Sequence, residues 1–96
     1  MAAYDHESIA VADTAVGLTA AKIALAASRF NLPLKKVVVT VETAPIRVTW
    51  DGTTPTSSVG HTLNIGDLIE LDASDAQKFR AIRVSASGNI RATYEV

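Results

Sequence analysis

The hydrophobic pattern of this chain repeats every two residues, and that period most restricts the fold it can take. In LKKVVVTVE, Val37, Val39 and Val41 fall on one side while Lys36, Val38, Thr40 and Glu42 fall on the other. PIRVTW sets Ile46, Val48 and Trp50 against Arg47 and Thr49. Ile69 and Leu71 alternate with Leu68 and Glu70. In NIRATYEV, Ile90, Ala92, Tyr94 and Val96 alternate with Arg91, Thr93 and Glu95. A strand sends successive side chains to opposite faces, so each stretch reads as a strand with one buried face.

Turn residues punctuate these strands. Glu42-Thr43-Ala44-Pro45 predicts a hairpin between the first two, with Pro45 at the start of the second. Ser85-Ala86-Ser87-Gly88-Asn89 predicts another, between FRAIRVSA and NIRATYEV. Phe79 and Ile82 break parity, which a bulge or a strand start near Arg80 would reconcile. ESIAVA reads as a strand through Ile9 and Val11, and AVGL as a short second one. A helical turn is expected around Thr19 to Lys22, Ile23 to Phe30 stays open between helix and strand, and Ser74 with Gln77 has capping-box spacing. The expected fold is all-β: one domain, residues 1–96, built as a small antiparallel β-sandwich or barrel of six to eight short strands with one or two helical turns.

Composition removes several function classes. Nine basic and ten acidic residues are mixed along the chain, for a formal charge of −1, so no patch marks a nucleic-acid or membrane surface. There is no cysteine, hence neither disulfide nor thiolate metal site. The start, MAAYDHESIAVAD, lacks the basic n-region of a signal peptide, and no apolar run is long enough to span a bilayer. Synthesis and folding in a cytoplasm are expected. Only five aromatic residues anchor the core, Phe30 among them, and so small a β-domain often gains stability by burying surface against copies or partners.

Catalytic sets are missing. His6 and His61 are the sole histidines, and neither sits in a nucleophile motif; His61 reads as a loop residue capping backbone groups. Asp51, Asp67, Glu70, Asp72 and Asp75 lack metal-ligand spacing. The five glycines are too dispersed to cradle a phosphate. Arg47, Arg80, Arg83 and Arg91 are expected to be solvated or paired with acids such as Glu95 rather than to form a nucleic-acid strip. No enzyme activity, cofactor or metal is expected.

WDGTTPTSSVGHTLNIGD, from Trp50 to Asp67, contains turns at Asp51-Gly52 and Asn64-Gly66 and a polar connection longer than a hairpin needs. Thr53, Thr54, Thr56, Ser57, Ser58 and His61 are its candidate contact residues. Trp50 shares parity with Ile46 and Val48, which favours the core or its rim, although a stacking role on a sugar ring is the alternative.

From about Val41 onward the sequence resembles small structural proteins of tailed bacteriophages. The resemblance lies in APIRVTWDGTTPTSSVGHTLNIGDLIEL and FRAIRVSASGNIRATYEV, with DTAVGLTAAK upstream. It implies a virion protein, made in the bacterial host cytoplasm, that decorates the capsid as a homo-oligomer (trimer first, dimer second). Its partners are then copies of itself and phage capsid or tail proteins, with no nucleic acid and no membrane. The alternatives are a tail or fibre accessory and a module binding a host glycan. GHTLNIGD also resembles the glycine-rich turn of a cupin, but the second histidine and the glutamate of that metal site are missing.

Overall fold

The computed structural model describes residues 3–19, 21–24 and 34–96. Their seven strands are β1 (Ala3–Val11), β2 (Lys36–Glu42), β3 (Ile46–Thr49), β4 (His61–Leu63), β5 (Leu68–Asp72), β6 (Arg80–Arg83) and β7 (Gly88–Glu95). They form two antiparallel sheets, ordered β1-β7-β2-β5 and β4-β3-β6. This is the expected antiparallel all-β architecture. The alternation sets the core as anticipated: Val37, Val39, Val41, Ile46, Val48, Leu71, Ile90, Ala92 and Tyr94 are all buried in one cluster fed by both sheets. Val96, Ile69 and Trp50 pack partly buried against it.

Both predicted hairpins are corrected. β2 has β5 on one edge and β7 on the other, so no edge is left for β3, which pairs with β4 and β6 instead. The chain leaves the larger sheet at Thr43, whose φ is 79°, with Ala44 N bonded back to Glu42 O at 2.9 Å. Gly88, at the foot of β7, permits this crossing, because a Cβ there would lie 2.8 Å from Ala44 O. β7 is likewise enclosed by β1 and β2, so β6 cannot fold beside it. Linkers short enough for hairpins thus cross between the sheets.

The parity break resolves through a strand start at Arg80. Phe79 is buried just before it, Ala81 points inward, and Ile82 lies half-buried opposite Arg47. The helix cap is corrected by two residues. Asp72, extended at the end of β5, is the N-cap of the helix Ala73–Lys78 and accepts from Asp75 N at 2.8 Å.

After β1 the chain crosses to the smaller sheet. Val16 exchanges backbone bonds of 2.9 and 2.7 Å with Ala81, so the predicted AVGL strand is a single bridge. Residues 21–24 are helical, with Lys22 N and Ile23 N bonded to Thr19 O. The remainder of the open stretch, including Phe30, lies outside the described residues.

This returning segment is fastened to acids on the inner face of β1. Thr19 Oγ1 donates to Glu7 Oε1 at 2.6 Å, and Tyr94 OH donates to Glu7 Oε2. Lys22 Nζ contacts Asp5 Oδ2 at 2.7 Å, and Tyr4 OH donates to Lys22 O at 2.8 Å. Burial first, then the bond to Glu7, pushes the Tyr94 phenol far above its usual value of 10.0. Lys22, then His6 N, holds the Asp5 carboxyl below 3.8.

Candidate functional site

β3 and β4 are paired antiparallel and joined by residues 50–60, the connection singled out in the sequence. Arg47 and Thr49 leave β3 on the face opposite Ile46 and Val48, where they would ordinarily meet water. The loop folds back over them. Arg47 Nε donates to Ser57 O at 2.8 Å and Nη1 to Gly60 O at 2.9 Å. Thr49 Oγ1 donates to Thr53 O, which explains why Thr49 is only 6% exposed. Pro55 is fully buried and anchors the middle.

The loop is also braced internally. Thr53 N donates to Asp51 Oδ1 at 3.0 Å, closing the turn predicted at Asp51-Gly52. That bond is the main cause of the low Asp51 carboxyl pKa, below 3.8. Thr56 and Val59 exchange backbone bonds of 3.1 and 3.3 Å, and Thr56 Oγ1 accepts from Val59 N at 3.1 Å. Gly60 closes the loop at φ 123°, where a Cβ would stand 2.9 Å from Val48 O, so only glycine fits without distortion.

Trp50 and His61 meet at the loop's two ends, rings stacked at 4.8 Å and 18°. His61 opens β4 opposite Val48, so it covers an indole face instead of capping backbone groups as the sequence suggested. Beside the pair lies an open cleft of about 300 Å³, walled by Trp50, Asp51, Thr53, Val59 and His61. That volume sits at the lower limit for a small-molecule site.

The predicted contact residues therefore divide. Thr53, His61 and Trp50 line the cleft. Thr54, Thr56, Ser57 and Ser58 are exposed along the loop away from it. Thr56 and Ser57 border a second shallow depression of about 420 Å³, shared with Asp13, Ile82 and Arg83. Sequence reasoning missed Arg47, Thr49 and Gly60 as the residues that shape the loop. No local signal marks them, because a charged residue between two inward positions ordinarily faces water.

The arginines form no strip. Arg47, Arg80 and Arg83 belong to the smaller sheet and Arg91 to the larger. Arg91 pairs with Glu42 at 3.0 Å rather than with Glu95, which lies 4.0 Å from Lys36. Among the described residues, no three His, Asp or Glu side chains gather in a way that could hold a metal ion, and no helix is long and apolar enough to cross a membrane. Comparison with protein families, curated proteins and solved structures finds no match to the chain.

Proposed function

We propose that this protein is a non-enzymatic structural component of a tailed-phage virion, a decoration protein that binds the outer head surface as a homo-oligomer. The observation that carries the proposal is the β3–β4 loop. Residues 51–59 are exposed except for Pro55, yet Arg47, Thr49, Asp51 and Thr56 hold their backbone in one arrangement. An exposed surface that is already ordered loses little conformational freedom on docking, which is what a protein that binds other protein surfaces requires. The resemblance of this same stretch to phage structural proteins supports the virion setting. Mass measurement of purified particles tests it: tens to hundreds of copies per virion are expected, and absence from particles would refute the proposal.

A second reading, a tail-associated module that binds a host glycan, is favoured by one observation. Trp50 stands half-buried at an open cleft. His61 already occupies one indole face, so a sugar would have to use the other or displace the imidazole. Titrating host polysaccharide against the fluorescence of this single tryptophan decides the matter; an unchanged signal rules the glycan out.

A further inference from the structure

Of the six aspartates and three asparagines in the chain, Asp51 alone precedes a glycine. That pairing matters chemically, because a side chain on the following residue hinders approach of its backbone nitrogen to the carboxyl carbon. Asp5, Asp72 and Asp75 sit within strands or the helix, and Asp13 and Asp67 are followed by Thr14 and Leu68. The Asp51–Gly52 unit is open instead. Both residues are exposed, Gly52 takes φ 94°, and a Cβ there would meet nothing within 4 Å. Among the described residues, Gly52 N donates to no acceptor. Thr53 N holds Asp51 Oδ1 at 3.0 Å, so the carboxyl is folded forward over the peptide that follows it. Nucleophile and electrophile therefore lie on the same side of the turn.

We infer that Asp51–Gly52 is a site of spontaneous isomerisation, which re-links the loop through the Asp51 side chain and loosens it. Gly52 N attacks Asp51 Cγ; the N–Cγ bond forms, and the amide proton and carboxyl hydroxyl leave as water. The product is a five-membered succinimide. Water then breaks one of its two carbonyl–nitrogen bonds. Opening at Cγ restores aspartate, whereas opening at the main-chain carbonyl leaves Gly52 joined to Cγ as isoaspartate. One water is lost and one gained, so the mass is unchanged and no oxidant or partner is needed. Attack requires the protonated carboxyl, and Asp51 is held ionised, which makes this a slow process of ageing.

Isoaspartate adds a methylene to the main chain between Trp50 and Gly52, and the oxygen that Thr53 N binds becomes a backbone carbonyl. The brace at Thr53 is lost, and Thr53 O moves away from Thr49 Oγ1. The inference goes beyond the virion reading, since it holds whatever the loop docks against.

Ageing the purified chain in heavy-oxygen water at neutral pH tests it, because each ring opening leaves one heavy oxygen at the reacting residue. Fragmentation mass spectrometry locates that label, and an isoaspartyl methyltransferase counts the product. Isoaspartate at Asp51 is expected to exceed that at any other aspartate by about tenfold, a barrier difference of about 1.4 kcal/mol. The isoaspartyl fraction should show faster hydrogen exchange confined to residues 50–60 and altered Trp50 emission. Asp51→Ser keeps an oxygen for Thr53 N but has no carboxyl carbon, so it should take no label there and keep its loop on ageing. Asp51→Asn forms the same ring with loss of ammonia and should react faster. A free peptide of residues 48–56 that isomerises while the folded chain does not overturns the site, as does label spread evenly over the aspartates. An isoaspartyl fraction whose exchange and emission match fresh protein overturns the loosening.

Discussion

The polar groups beside β1 and those of the β3–β4 loop are both knit by hydrogen bonds, but they serve opposite ends. Glu7 and Asp5 lie on the inner face of an edge strand, where they bind Tyr94, Thr19 and Lys22 and fasten the chain crossing between the sheets. Inward acids, with the register shift between Ala3 and Asp5, also blunt a nine-residue edge that would otherwise invite another strand. In the loop, Arg47, Thr49 and Asp51 satisfy backbone groups and leave the hydroxyls of Thr54, Ser57 and Ser58 facing water. One region uses its polar groups to close the fold, the other to hold a surface open. The largest loss of stability from a single substitution is therefore expected in the first region.

The sharpest test of the first region is Tyr94→Ala, expected to lower stability by about 3–5 kcal/mol in urea unfolding, as for other buried aromatics. Tyr94→Phe keeps the ring and should cost only about 0.5–1.5 kcal/mol, the usual worth of one hydrogen bond. If the two variants were equal, Glu7 rather than packing would carry this side. Gly60→Ala is the largest expected effect in the loop, about 1–3 kcal/mol from strain at a positive φ against Val48 O. Arg47→Ala should follow at about 1–2 kcal/mol, with faster hydrogen exchange or proteolysis confined to residues 50–60. His61→Ala should change stability by no more than about 0.5 kcal/mol while altering Trp50 emission, since it removes a stacked ring from an exposed position.

pH separates the regions further. Asp5 and Asp51 both titrate below 3.8 in the folded chain, so each adds stability above that pH that is lost as pH falls through the lowered value. Acid thus loosens both regions. Alkali acts on the β1 side through Tyr94, which holds its proton when folded, whereas the unfolded chain releases it above pH 10.0. Stability should fall as pH rises past that point, and Tyr94→Phe should flatten the fall.

Much of the core was legible because alternation depends on strand geometry alone. Glu7 could have been read as well, since it shares parity with Ile9 and Val11, and an acid on the apolar side of a strand needs a partner. The helix cap was misplaced because Ser74 and Asp72 both fit a cap by residue type, and only the extended backbone at the end of β5 selects Asp72. Of the candidate site, Trp50, Thr53 and His61 were identified from the sequence and do meet at one cleft. The fold-back of the loop onto Arg47 was not foreseen, because it joins residues ten and thirteen positions apart.

By itself the sequence determined which face of β1, β2, β3, β5 and β7 is buried, where the chain turns at Asp51-Gly52 and Asn64-Gly66, and that no familiar catalytic motif is present. These follow from period, φ preference and residue chemistry, all of which act over a few neighbours. Tertiary structure decided which strands pair. Two linkers of hairpin length cross between sheets because β2 and β7 are already flanked on both edges. It also decided that a long polar connection is a braced surface with a cleft at one end. Edge occupancy and fold-back depend on contacts between segments far apart in the chain, and no local pattern encodes them.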